Sequence, residues 1–187
     1  MRFVPILLLS LVCAASAAPT KPPAHKPEKP ILDTLFAQLA KAQSAEEAKP
    51  IENQILAQFD ISGSPSVDLL MARGAVAADG GDSDTAKKLF DSVTTIAPNF
   101  AEGWHERAQL QQQAGEDEAA MISLQKTITL NPRQFEAMSE LGDMLEEYGN
   151  KPGALKMYRR ALALDPQLEG ANKHLHALEK DVEGQGI

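Results

Sequence analysis

Five kinds of residue recur along this chain at intervals of 34, and this period constrains the fold more than any other feature. The columns are Gly74, Ala108 and Gly142; Gly81, Gly115 and Gly149; Ala86, Ala120 and Ala154; Phe90, Leu124 and Tyr158; and Pro98, Pro132 and Pro166. No insertion interrupts them. A fixed period of this length is typical of stacked structural units that each pack on their neighbours. The sequence therefore predicts repeats at 67–100, 101–134 and 135–168.

Each column has a physical role in a pair of helices. The small residues let two helices cross closely, and the glycine column ends the first helix of each pair in a left-handed conformation. Asp82 and Asn150 then cap the second helix. The large apolar column fills the core between neighbouring pairs. We expect the prolines in the first turn of the following helix, with Asn131 and Asp165 as its caps.

These units resemble the tetratricopeptide repeat family. The family pattern W-x₂-L-G-x₂-Y…A-x₃-F…P is similar to "MSELGDML", which begins at Met138 and is followed by Ala154, Tyr158 and Pro166. "WHERAQLQ", beginning at Trp104, matches it less fully. The resemblance implies an all-α fold, a TPR-type right-handed superhelix of helical hairpins (α-solenoid). It would have three repeats, an N-terminal helical hairpin and a C-terminal capping helix at 169–182.

The segment 31–62 lies before the repeats and is out of phase with them. Its apolar residues have helical spacing, and Ser44 with Glu47 forms a capping box that opens a second helix. We expect a divergent helical hairpin that covers the exposed apolar end of the first repeat, as terminal units must. Ser64 is expected to cap a helix that begins at Pro65.

Residues 1–18 have the character of a secretory signal peptide. Arg2 precedes an apolar run of about 12 residues, which is short for a membrane span, and small residues suited to a signal peptidase follow. Secretion from the cell or an uncleaved membrane tether is the alternative, and lipidation at Cys13, the only cysteine, fits poorly. Residues 19–30 form a proline-rich linker. The simplest interpretation is an exported bacterial protein in the periplasm, without disulfides.

In the family that the sequence resembles, the first helix of each hairpin lines the concave face. Acidic residues dominate those positions here, whereas most lysines and arginines fall on second helices. An acidic groove would attract a basic or amphipathic protein segment. The residues predicted to contact such a partner are Met71, Glu102, His105, Glu106, Gln109, Glu136, Glu140, Asp143, Glu146 and Glu147.

Two alternatives remain open for the charged residues. The acids of the groove could be ordinary solvated surface. Arg73 and Arg107 could be structural, each paired with a nearby acid, or could enter the groove as anion ligands. The groove lacks the lysines and asparagines with which some members of the family grip a carboxylate terminus, so a carboxylate clamp is not expected.

The sequence contains no pattern that indicates catalysis. We find no nucleophile elbow, phosphate loop or metal-ligand spacing, and His174 and His176 would point apart on a helix. The net charge of −8 argues against general nucleic-acid binding. We expect no cofactor, no metal and no enzymatic activity. The predicted function is a protein–protein interaction adaptor of the cell envelope; the alternative is a self-associating scaffold.

Overall fold

The computed structural model describes residues 29–184, and all regular structure in that range is helical. The predicted signal peptide and most of the predicted linker lie outside it. The helices are α1 (Lys29–Leu39), α2 (Ala45–Phe59), α3 (Pro65–Asp79), α4 (Ser83–Ile96), α5 (Ala101–Gln113), α6 (Asp117–Leu130), α7 (Phe135–Glu147), α8 (Lys151–Leu162) and α9 (Glu169–Gly184). No described helix is both long and apolar enough to cross a membrane.

The three repeats are the hairpins α3–α4, α5–α6 and α7–α8, joined in series through α4 to α5 and α6 to α7. The glycine column ends the first helix of each hairpin as expected, with φ of +76° at Gly81, +72° at Gly115 and +75° at Gly149. Asp82 and Asn150 accept hydrogen bonds from backbone N–H groups in the first turns of α4 and α8. The period therefore specifies the hairpins correctly.

The columns of small and large residues meet inside each hairpin. A Cβ added to Gly74 would lie 2.5 Å from Cε1 of Phe90, and one added to Gly142 would lie 2.6 Å from Cε1 of Tyr158. Phe90 and Tyr158 are fully buried. The missing side chain thus makes room for an aromatic ring on the second helix, which explains why the two columns vary together.

The proline column does not lie where the sequence predicted. Pro98, Pro132 and Pro166 are in the loops before α5, α7 and α9, not in the first turns of these helices. Asn131 accepts a hydrogen bond from the N–H of Arg133, and Asp165 accepts one from the N–H of Gln167. These two residues therefore stabilise the loop around the proline, as Asx turns do, rather than cap a helix.

The N-terminal hairpin α1–α2 does not cover the end of the first repeat, contrary to the prediction. Its apolar residues share one core with the second and third repeats and α9, whereas the first repeat has a separate core. The Phe36 ring meets the Phe135 ring edge-on at 6.3 Å between centroids. The side-chain amide of Gln167 donates to the carbonyl of Ala42 at 3.1 Å. The hairpin therefore runs along the loops that connect the repeats.

Arg133, in the loop between α6 and α7, holds this hairpin in place. Its guanidinium donates to the Asp33 carboxylate at 2.5 Å and to the Leu32 carbonyl at 3.3 Å. The same group lies 3.8 Å from the centroid of the Phe36 ring. An ion pair, a hydrogen bond and a cation–π contact thus converge on one side chain.

Candidate functional site

Most of the predicted contact residues lie together on one surface of α5 and α7, which we call the inner face. Their carboxyl groups interact electrostatically with one another across the two repeats. The carboxyl groups of the inner face belong to Glu102, Glu106, Glu136, Glu140, Asp143 and Glu146. Helices α5 and α7 contain one basic residue of the lysine or arginine type, Arg107, so the acids of this surface have few positive neighbours.

His105 lies at the centre of the inner face and connects the second repeat to the third. Its Nδ1 is 3.0 Å from Oε1 of Glu102, and its Nε2 is 2.8 Å from Oε2 of Glu140. Gln109 donates to the other oxygen of Glu140 at 3.0 Å, and Gln134 donates to Glu102 at 3.1 Å. Both carboxylates are therefore held by the fold itself.

The environment of His105 favours its charged form. Burial would lower its pKa, but the hydrogen bonds and charges of Glu102 and Glu140 outweigh burial and raise the pKa well above its usual value. His105 is 2% exposed and Glu102 is 7% exposed. These two predicted contact residues thus support the inner face from within and are not open to a partner in this structure.

Burial, with a smaller contribution from neighbouring carboxylates, raises the pKa values of the remaining acids around His105. Burial, with the Glu102 charge added, raises the pKa of Glu106 to about 7. The same two causes raise the pKa of Asp60 to about 6. Burial also raises the pKa of Glu136. Among the described residues, none of these three carboxyl groups accepts a hydrogen bond, so the fold leaves their charge largely uncompensated.

A second network closes the far end of the inner face, where α7 meets α8 and α9. The Tyr158 hydroxyl lies 2.7 Å from the Asp143 carboxylate and 2.9 Å from the Glu146 carboxylate. His174 contacts Glu146 at 2.8 Å and stacks on the Tyr158 ring with 5.6 Å between centroids. Burial raises the pKa of Asp143, although the bond from Tyr158 opposes this shift. Glu147, in contrast, is exposed at the end of α7.

Arg107 of α5 has the structural role, not the anion-binding one. Arg107 turns away from the inner face, donates to the Asp91 carboxylate at 2.7 Å and lies over the Trp104 ring. The alternative role of Arg107 as an anion ligand is therefore not supported by its orientation. Arg73 is exposed and has no ion-pair partner among the described residues.

Sequence reasoning missed four contributors to the inner face: Asp60, Gln134, the Tyr158 hydroxyl and His174. One of them left a signal. His174 follows Glu140 by one further period of 34, so continuing the period into α9 would have placed it on this face. Asp60 comes from the segment after α2, which is out of phase with the repeats, and no periodic signal could have found it.

Comparisons with known proteins bear on this architecture. Residues 101–134 match the model of the tetratricopeptide repeat family, and these are the bounds of the second predicted repeat. A TPR repeat-containing protein of Rhizobium etli is 29% identical over 153 residues, which are 82% of this chain and 75% of that protein. The fold is a tetratricopeptide repeat solenoid.

Solved structures of tetratricopeptide repeat proteins superpose on most of the described chain. The first TPR of Spaghetti (RPAP3), bound to an HSP90 peptide, has a TM-score of 0.58 and 20% identity over 63% of this chain and 93% of that one. The Yersinia enterocolitica type III secretion chaperone SycD, in complex with a peptide of the translocator YopD, has a TM-score of 0.58 and 14% identity over 63% and 95%. At this identity the likeness establishes the fold alone.

Proposed function

We propose that this protein is a non-enzymatic interaction module whose inner face binds a basic or amphipathic segment of a partner protein. Two proteins of the same fold were solved with peptides bound, which supports the class of function. The predicted signal segment at 1–18 supports an adaptor that acts in the bacterial cell envelope. The contacts available to a partner are Gln109, Glu106, Glu136, Glu140, Asp143, Glu146 and Glu147. Met71, also predicted as a contact, is largely buried in the core of the first repeat.

One observation carries the proposal: the inner face has a charge imbalance that the fold does not neutralise. His105 compensates Glu102 and Glu140, and Nδ1 of His174 lies 2.8 Å from Oε2 of Glu146. Glu106 and Glu136 remain crowded, with raised pKa values. A partner that brings lysine or arginine side chains would favour the ionised form of these acids, so its binding is favoured by the field of the whole face.

The direct test uses two fluorescein-labelled helical peptides. The lysine peptide is built from lysine and leucine in amphipathic spacing, and the glutamate peptide has glutamate in place of each lysine. We expect the wild-type protein to bind the lysine peptide and not the glutamate peptide in anisotropy titrations. Neutralising Glu136, Asp143 and Glu147 together to the amides should weaken binding about tenfold, because each of these charges contributes roughly 0.5 kcal/mol.

A matched control removes the same charge elsewhere. Glu46, Asp84 and Glu118 are exposed acids away from the inner face, and their amide variants change the net charge equally. If the control triple weakens binding as much as the inner-face triple, only the net charge matters and the proposal is wrong. Equal binding of both peptides would also overturn it. Unchanged helicity and melting of each variant are required first.

A second candidate function is self-association as a scaffold. Helix α3 exposes Leu69 and Val76, which lie two turns apart on the same side and are 52% and 73% exposed. The N-terminal hairpin, which packs along the repeats, leaves this side of α3 open. Sedimentation velocity over a range of protein concentrations tests this candidate, since Leu69→Lys with Val76→Lys should then convert an oligomer to a monomer.

A further inference from the structure

One cavity, beside the α5 edge of the inner face, combines an apolar floor with acidic walls. It lies where the segment after α2 passes α3 and α5, and its volume is about 420 Å³. Met71, Ala72 and Ala75 of α3 and Ile61 of the preceding segment form the floor. All four of these side chains are apolar, so the floor suits a hydrocarbon chain.

The walls of this cavity carry three carboxyl groups. They belong to Asp60, Asp68 and Glu106. Asp68 is fixed, because its Oδ1 accepts hydrogen bonds from both the N–H and the hydroxyl of Ser62. Asp60 and Glu106 accept no hydrogen bond from any described residue. Two carboxyl groups of the cavity wall are therefore open to hydrogen bonds from a ligand.

No basic side chain lines the cavity among the described residues. The nearest positive group that acts on Glu106 and Asp60 is His105, and both of its ring nitrogens are already engaged by Glu102 and Glu140. No aromatic ring lines the cavity either, so it lacks the cage that favours quaternary or methylated ammonium groups. A primary ammonium or a guanidinium on an aliphatic stem fits both the floor and the walls.

We propose that this cavity is an anchor site for one lysine or arginine side chain of the partner segment, and that Glu106 and Asp60 determine this specificity. The stem lies on Met71, Ala72 and Ala75, and the charged head contacts the two free carboxyl groups. The inference rests on the proposed function and sharpens it, because it singles out one partner residue instead of a diffuse attraction. The Glu102 charge acts on both acids and contributes, after burial, to their raised pKa values; a bound cation would oppose that contribution.

The test separates an anchor from diffuse attraction by filling the cavity without changing charge. Ala72→Leu places a larger apolar side chain on the floor, and Glu106→Gln removes a wall charge. We expect each substitution to weaken binding of the lysine peptide roughly tenfold or more, as the loss of a buried anchor does. Ala163→Leu, on the opposite side of the repeats beside Arg159 and Arg160, is the matched control and should change nothing.

A scan of the peptide completes the experiment. Each lysine is replaced in turn by norleucine, which keeps the stem and removes the charge. With wild-type protein, norleucine at one position should reduce the affinity far more than at the others, and with Glu106→Gln this difference should disappear. Arginine in place of norleucine at that position should restore binding to wild-type protein. Small, equal losses at all positions, or full binding by Ala72→Leu, would overturn the anchor and leave the proposed function standing. Absence of binding to wild-type protein would overturn both.

Discussion

Removing the Arg133 side chain should weaken the docking of the N-terminal hairpin on the repeats without unfolding the repeats. Arg133→Ala deletes the ion pair with Asp33, the hydrogen bond to the Leu32 carbonyl and the cation–π contact with Phe36. The exposed ion pair contributes about 0.5 kcal/mol, the hydrogen bond about 1 kcal/mol and the cation–π contact about 0.5–1 kcal/mol. The hairpin should therefore lose about 2 kcal/mol of docking free energy.

Native-state hydrogen exchange measures this loss directly. A change of about 2 kcal/mol corresponds to an increase of roughly thirtyfold in the exchange rate of amides in α1 and α2 that open by undocking. Amides of α5 to α8 should keep their protection because their hairpin contacts are untouched. Arg133→Lys keeps the charge but loses the planar stack, so it should show about half of the effect.

The control is Arg159→Ala. Arg159 also makes an ion pair, with Glu179 at 2.9 Å, but it has no ring beneath it among the described contacts and is 61% exposed in its side chain. Its removal should cost about 0.5 kcal/mol or less. Equal effects of the two alanine variants on α1, or no effect of Arg133→Ala on it, would refute the assignment of Arg133 as the residue that holds the hairpin.

Two further predictions concern the repeats and the inner face. Gly142→Ala should lower the free energy of unfolding by about 1–3 kcal/mol in urea titrations, because its Cβ would lie 2.6 Å from the Tyr158 ring; unchanged stability would contradict the packing described here. Stability should also rise as the pH falls from 8 to about 5, since Glu106 and Asp60 have folded pKa values of about 7 and about 6, above those of free carboxyl groups. The folded protein then binds more protons than the unfolded chain in this interval, and raising the pH through these values removes that advantage. If the urea midpoint did not change with pH, or changed in the opposite direction, the raised pKa values of these two acids would be excluded.

The hairpins of the repeats were predictable because their signals are local and repeated three times. Gly81, Gly115 and Gly149 need only the conformation of their own turns, and Tyr158 needs only a missing side chain at Gly142 in the same hairpin. The docking of α1–α2 was not predictable in this way. An apolar stripe shows that a helix is buried but not on which surface, and here the partner surface lies about a hundred residues away along the chain.

The candidate site was predictable in its composition and less so in its accessibility. The period placed Glu102, His105 and Glu140 near one another, and the structure joins them in one network. The sequence could not show that this network would bury His105 and Glu102, because burial depends on Gln134 and on the segment that carries Asp60. Distinguishing supporting residues from exposed ones therefore required the three-dimensional arrangement.

The placement of the N-terminal hairpin sets an order of events during synthesis. In an ordinary array of repeats each unit contacts its neighbours in sequence, so folding can proceed as the chain emerges. Here the contact of Asp33 with Arg133 needs a residue that is 100 positions later in the chain. The contact of Ala42 with Gln167 needs one that is 125 positions later. Helices α1 and α2 are thus made before much of the surface that they pack on, and the apolar residues that they bury against the third repeat stay uncovered until that repeat is made.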